Sequence, residues 1–493
     1  MTGPDPGVAR ARAWYDTGCR ETERGEYAAA AGSFQRALAI APDWSEAQHN
    51  LGRCLFALGR VDEAVQGFAR ASRGSRPGLP RMMLAVVIPG SSADAAAVLE
   101  ARRSWAREFL PPVQSRARPR EIAPGDRLRV GYVSSFFHRA NWMKPVWALI
   151  NHHDRDAVEV HLFADSPGWT GGEGYRPHGA DRVHPIHDLP NEEAAASIAR
   201  CGIDVLVDLN SYSKPARLPL FQWRPAPVLA SWFNLYATSG MPCFDYVVGD
   251  AAVLSPTEEG DYVEQVVRVE GSYLVFEPSS SAPDVAPAPC AASRVVTFGS
   301  LASQYKLTPG VLEAWGRILQ RAPASPLLLR NAALASAGVR RYVHDVLAAN
   351  GVSRDRVRML GPAEHVEFLR TYDEIDVALD AFPYSGGTTT MEAIWQGVPV
   401  VTYHGDRWAA RTSESILRAA GLAEFVAADL DGYVDLAVEL AASAERLIDA
   451  RVALRERVRA SDACNGPKLA RSMESLYRRM FEERAFHAGG TAA

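Results

Sequence analysis

Between Ile375 and Thr402 the chain reads Ile-Asp-Val-Ala-Leu-Asp, then Ala-Phe-Pro-Tyr-Ser-Gly-Gly-Thr-Thr-Thr-Met-Glu, then Ala-Ile-Trp-Gln-Gly-Val-Pro-Val-Val-Thr. Gly386 and Gly387, followed by Thr388 and Thr389, are residues that leave main-chain N–H groups and hydroxyls free to face a ligand. The chemistry they suit is the holding of an anion such as a diphosphate. Glu392 lies three residues after Thr389, so the same residues equally compose a capping box, with Thr389 as N-cap, beside an ordinary glycine turn.

The flanking elements say where such a loop must lie. The apolar run ahead of Phe382-Pro383 has the composition of a buried strand; Ile394 and Trp395 give the next helix an apolar side, and Gly397 with Pro399 stops it before a second strand. In a parallel α/β sheet that loop sits at the carboxyl edge, where the helix dipole favours negative charge.

The rest of the chain supplies two such sheets and a helical region. Gly18 and Gly52, Gly25 and Gly59, Ala30 and Ala64, Phe34 and Phe68, and Ala37 and Ala71 are all 34 residues apart, the tetratricopeptide period. Two units bury too little to stand alone, so the helical segment from Val98 to Phe109 is expected to continue and cap the stack. Past Pro111-Pro112 and a basic stretch, strands are expected at 128–135, 158–163, 204–209, 228–232 and 246–249, with helices between. A Pro-, Ser- and Ala-rich stretch from Glu277 to Ala292 reads as a linker, after which the alternation restarts with strands at 294–298, 327–329 and 357–360. The resulting division is tetratricopeptide-like repeats over 1–78, a helical cap and linker over 79–126, one Rossmann-like lobe over 127–290 and another over 291–493. The final helical segment, with Leu469, Met473, Leu476 and Met480 on one side, is expected to return to the first sheet. Two such domains in tandem would leave a cleft for a ligand at the strands' carboxyl ends.

A formal charge of −5 over 493 residues offers no general attraction to nucleic acid or to an anionic membrane. No secretory signal and no apolar run of spanning length is visible, and the six cysteines are scattered without a Cys-x-x-Cys. A cytoplasmic protein with reduced thiols is expected.

Pro383-Tyr-Ser-Gly-Gly-Thr-Thr-Thr with Glu392, Gly397-Val-Pro-Val-Val-Thr, Leu417-Arg-Ala-Ala-Gly421-Leu, Arg224-Pro-Ala-Pro, Thr238-Ser-Gly240, Asp245-Tyr and Cys464-Asn-Gly-Pro467 together resemble the O-linked N-acetylglucosamine transferase and SPINDLY family. The resemblance spans roughly residues 10 to 485 and keeps the order of repeats before catalytic lobes. It implies an α/β GT-B fold of two Rossmann-like lobes preceded by an all-α tetratricopeptide-like domain. It also implies an inverting transfer of sugar, with UDP-N-acetylglucosamine the leading donor and GDP-fucose its alternative, to a peptide, protein or small molecule, without a metal or other cofactor. A protein partner on the repeats would fit the same family.

By that resemblance Lys306, in Ser303-Gln-Tyr-Lys306, meets the donor's diphosphate; Ser303, His365, Gly386, Gly387, Thr388, Thr389 and Glu392 complete the donor site, Glu392 beside the ribose. Tyr236 and Thr238 fall on the acceptor side. The histidine that family members carry after the Val-Ser-Ser strand is replaced here by Ala140, and His138, two residues earlier, is the candidate base. Two other functions remain open: a catalytically silent scaffold or sensor that binds nucleotide-sugar, and a nucleotide-sugar epimerase, which can use a similar two-lobed fold.

Overall fold

The structure, a computed structural model, describes residues 6–117, 120, 122–123, 125–172, 174–278 and 281–489. Four antiparallel helices open the chain: α1 (Pro6–Glu23), α2 (Tyr27–Ile40), α3 (Ser45–Ala57) and α4 (Val61–Ala71). The 34-residue pairs take equivalent places in the two hairpins. A Cβ on Gly18 would lie 2.8 Å from the ring of Phe34, and one on Gly52 would lie 2.9 Å from the ring of Phe68, so only glycine lets each pair of helices close over its phenylalanine. Both rings are wholly buried in one core with Leu51, Leu55 and Val87.

The continuation of the stack differs from the expectation. It is α5 (Gly78–Val87) that packs on α4, whereas α6 (Ala95–Phe109) lies in the other compact unit. There the buried Arg102 donates to the carbonyls of Thr238 at 2.6 Å and Leu235 at 3.3 Å, and Trp105 packs on Tyr212. A buried arginine needs acceptors for its N–H groups, and the carbonyls of Leu235 and Thr238 in this unit supply them.

Each unit is assembled from separated stretches. One combines the residues up to Asp94 with Ser281–Glu414 and Leu422–Arg457; the other combines Ala95–Ser280 with Ser415–Gly421 and the chain from Val458 onward. The latter holds a seven-stranded sheet of β1 (Leu128–Ser134), β2 (Val158–Ala164), β3 (Arg182–Pro185), β4 (Val205–Asp208), β5 (Val228–Ser231), β6 (Tyr246–Gly249) and β7 (Gln265–Arg268). All pairings are parallel, in the order 3-2-1-4-5-6-7. The edge strands β3 and β7 escape sequence reading because they are short and carry few buried residues, none in β3 and one in β7. The last helix (Gly466–Gly489) packs in this unit: Glu474 accepts from the ring of His153 at 2.8 Å, and Tyr132 donates to Tyr477 at 3.2 Å.

The other unit holds six parallel strands, β8 (Phe298–Ser300), β9 (Leu327–Arg330), β10 (Val357–Leu360), β11 (Val377–Leu379), β12 (Val400–Tyr403) and β13 (Val426–Ala427), in the order 10-9-8-11-12-13. Strand β8 begins at Phe298 and not at Arg294, because Arg294 ends a short helix (Cys290–Ser293) with φ +59°. In both sheets the strand order reverses once, between β1 and β4 and between β8 and β11. Those reversals are where open α/β sheets bind ligands.

Candidate active site

The loops leaving β8 and β11 carry most of the predicted donor residues. Lys306, in the short turn Gln304–Lys306 after β8, donates to the carbonyl of Ser385 at 2.7 Å and lies 4.1 Å from the centre of the Tyr384 ring. Burial pushes the ammonium down to about 8, opposed by the carboxylate of Asp380. Ser303 opens the same turn, its carbonyl accepting the Lys306 amide at 2.9 Å.

Asp380 shapes the loop after β11. It is buried, and one of its oxygens accepts the amides of Ala381 at 2.9 Å and Gly386 at 2.8 Å while the other accepts the Thr402 hydroxyl at 2.8 Å. The Gly386 amide is therefore committed to Asp380 and is not among the donors that face a ligand. Its lack of a side chain is still required, since a Cβ there would run into the Thr390 hydroxyl. Ser385 donates from both amide and hydroxyl to the Ala409 carbonyl at 2.9 Å, and Ser413 donates to the Gly386 carbonyl at 3.1 Å, which ties the loop down at both ends.

The helix that follows runs Thr388–Trp395, with Gly387 at its N-cap and no side-chain cap. The Thr389–Glu392 capping box does not form: glycine, free of a Cβ, takes the non-helical position, so Thr389 is already inside the helix. The main-chain N–H groups of Thr388 and Thr389 belong to the first turn, where amides have no partner within the helix. Glu392 is released from capping and stands 3.6 Å from Nε2 of His365, which opens another helix (His365–Arg370). Tyr372 holds the helix start from behind, donating to the Thr389 carbonyl at 2.9 Å.

The other sheet treats its candidates differently. His138, after β1, is exposed, and its Nε2 accepts from Nε of Arg139 at 3.1 Å. Thr238 is buried; its hydroxyl donates to Glu264 at 2.7 Å and accepts the amides of Gly240 and Val263 at 3.1 Å each. Its hydroxyl thus holds a turn together. Tyr236 sits at φ +56°, a left-handed conformation that costs energy in a residue with a side chain.

Sequence reading passed over Asp208. It ends β4 as Asp380 follows β11, wholly buried, accepting the amides of Asn210 at 2.9 Å and Ser211 at 3.0 Å, and burial raises its carboxyl to about 7. Nearby, Asn210 accepts the Ser135 amide at 2.7 Å, while its Nδ2, the Ser211 hydroxyl and Oδ1 of Asn234 are buried without a protein partner. The available signal was the carboxylate that closes the apolar run Val-Leu-Val-Asp at a carboxyl edge.

In the same unit His161, His184 and Cys201 have ligand atoms within 4.8 Å of one another. Nδ1 of His161 and Nε2 of His184 are 3.0 Å apart in rings tilted by only 4°, and Cys201 approaches the other nitrogen of His184 at 3.9 Å. The remaining nitrogen of His161 meets a carboxylate oxygen of Glu159 at 3.1 Å.

A family model described as Glycosyl transferase family 41 matches residues 113–280 and 291–473, and a tetratricopeptide-repeat model matches 21–76. The Solanum lycopersicum protein named "Probable UDP-N-acetylglucosamine--peptide N-acetylglucosaminyltransferase SPINDLY" is 32% identical over 394 residues, covering 78% of this chain and 42% of its own. The Arabidopsis thaliana relative of the same name with the suffix SEC is 30% identical over 380 residues, covering 74% of this chain and 38% of its own. The chain thus spans about two-fifths of the length of these relatives. A solved Thermobaculum terrenum O-GlcNAc transferase mutant superposes with a TM-score of 0.85 at 32% identity, over 97% of this chain and 92% of that one.

Proposed function

The chain belongs to glycosyl transferase family 41, and from that premise we propose that it is an inverting glycosyltransferase that moves N-acetylglucosamine from UDP-N-acetylglucosamine to a peptide, protein or small-molecule acceptor. Its architecture of repeats and two Rossmann-like lobes is that of the GT-B class. The acceptor oxygen attacks the sugar carbon, the bond to the diphosphate breaks, UDP leaves with the electron pair, and the acceptor loses one proton.

The observation that carries the reading is the position of Lys306 against Ser385, at the reversal in strand order of the second sheet. A leaving diphosphate gains charge as the bond breaks, and a preset ammonium with helix-start amides stabilises that charge without reorganising. This is also why no metal is assigned. His365 and Glu392 are assigned to the nucleoside. For the proton, Asp208 is assigned beside His138: it closes β4 at the reversal in strand order with burial raising its carboxyl to about 7, and both its oxygens accept main-chain amides just as Nε2 of His138 accepts from Arg139. Asn210 and Ser211 are assigned with Tyr236 to the acceptor side. The repeats are a surface for a protein partner. No helix among the described residues is long and apolar enough to cross a membrane, and six free thiols suit a reducing compartment such as the cytoplasm.

The test is UDP release from UDP-N-acetylglucosamine by the purified chain, in chelator, with and without cell extract as the acceptor source. Release that rises with extract, and a mass increment on an extract component, support transfer. UDP binding without release would favour a silent nucleotide-sugar sensor, and an altered free sugar without acceptor dependence would favour an epimerase. Loss of release in chelator, restored by a divalent cation, would reject metal independence alone.

A further inference from the structure

Three contacts from the second repeat bracket the turn that carries Lys306. The carbonyl of Leu58 accepts from Nε2 of Gln304 at 3.3 Å, and the ring of Phe56 stacks on Tyr305 with centroids 5.2 Å apart. Gly59, at φ +84° in the turn between α3 and α4, lies so close that a Cβ would run into the carbonyl oxygen of Leu307 and stand 2.9 Å from that of Gln304. Gln304 is itself buried, and its Oε1 accepts from Asn331, after β9, at 3.4 Å. Lys306 ends this short turn and reaches the Ser385 carbonyl from it.

The first repeat supplies the comparison. Gly25 holds the same place in its own repeat and a similar backbone, φ +72°, yet nothing lies within 4 Å of where its Cβ would be. Left-handed geometry explains why both positions are glycine; it does not explain why only Gly59 meets the Lys306 turn.

We propose that the α3–α4 turn of the second repeat is a positioning element for the transfer reaction, with Phe56 and Gly59 acting through the 304–307 turn to hold Lys306 at the donor's diphosphate. The repeat domain is then part of the catalytic apparatus as well as a surface for partners. This rests on the donor reading of Lys306 given above.

The experiment compares Gly25→Ala, Gly59→Ala and Phe56→Leu in the full chain, following UDP release from UDP-N-acetylglucosamine and amide hydrogen exchange over residues 301–308. Both alanine variants carry the same turn strain, so equal losses of Tm are expected from that source. Only Gly59→Ala and Phe56→Leu should lower kcat, on the order of tenfold with donor KM within about twofold, because a displacement of about 1 Å misplaces a group needed in the transition state. Exchange over 301–308 should rise in those two variants and not in Gly25→Ala. If Gly59→Ala does not fold, Phe56→Leu carries the test. Equal kcat and equal exchange across the three variants would overturn the inference. A wild type that releases no UDP while exchange still responds would remove the transferase reading and leave the mechanical link between repeat and turn standing.

Discussion

The ammonium of Lys306 donates to the main-chain carbonyl of Ser385 at 2.7 Å, joining the loop after β8 to the loop after β11. A phosphate oxygen arriving there exchanges a neutral acceptor for a charged one, and the contact strengthens as the leaving group gains charge. Lys306→Ala should lower kcat by about 10²–10³, equivalent to roughly 3–4 kcal/mol, with a smaller effect on UDP affinity. Steady-state kinetics and calorimetry on the same preparation separate the two, and an unchanged kcat would reject the assignment.

The depressed ammonium sets an alkaline limit. Lys306 acts protonated, and in the free enzyme it loses its proton as pH rises through about 8. The free enzyme's groups govern kcat/KM. That quantity should therefore fall above pH 8, and Lys306→Arg, whose guanidinium stays charged, should move the fall beyond the measurable range even if its maximum is lower. A limb that persists unchanged in the arginine variant belongs to another group.

An acid limb should identify the base. A carboxylate must be deprotonated to accept a proton, and Asp208, raised by burial to about 7, is protonated below that pH. On this assignment kcat/KM falls as pH drops through about 7. Asp208→Asn removes that limb with a loss of about 10²–10⁴ in rate, while His138→Ala keeps it. The opposite pattern, a limb lost with His138 and kept with Asp208→Asn, would return the base to the histidine.

His365 stands 3.6 Å from Glu392 and is assigned to the nucleoside, remote from the bond that breaks. Contacts made equally in ground and transition states change KM alone. His365→Ala should raise the donor KM by about tenfold, the worth of one hydrogen bond of about 1–1.5 kcal/mol, with kcat held. A fall in kcat at constant KM would place His365 at the reacting end.

Burial and the neighbouring His184 lower His161 to about 4, against the attraction of Glu159. Between pH 6.5 and 4 the unfolded chain binds a proton that the folded chain does not, so stability falls as pH falls through that window and the loss levels off below it. The Tm of His161→Phe, measured against wild type from pH 7 to pH 4, should fall less steeply. Parallel curves would show that another group governs acid unfolding.

Much of this fold was legible because its cues are local. The central strands are apolar on both faces, as strands covered on both sides must be, and the repeats announce themselves because Gly18 and Gly52 have to yield to Phe34 and Phe68. Strands β3 and β7 have exposed residues that mimic loops, and the Arg294 start was masked by a helical turn that sequence periodicity is too short to register. The loop at Gly386 was readable as a glycine turn at a carboxyl edge, but not that Asp380 would consume one of its amides from six residues away. Lys306 looked like an ordinary loop lysine until a family pattern singled it out, because its partners come from a loop 79 residues distant. Asp208 and Asp380 were hidden as the ends of good strands, where a polar residue usually marks nothing more than the return to solvent.

The unit that holds Lys306 also has a history during synthesis. Its first segment ends at Asp94 and its next begins at Ser281, with most of the other unit's chain translated in between. With α5 in the same core the repeats bury their own phenylalanines, but the surface around Phe56 and Gly59 waits for the 304–307 turn to leave the ribosome. At about 5–20 residues per second that interval is on the order of tens of seconds. During it the nascent chain displays an aromatic and a bare turn whose eventual cover has not been made.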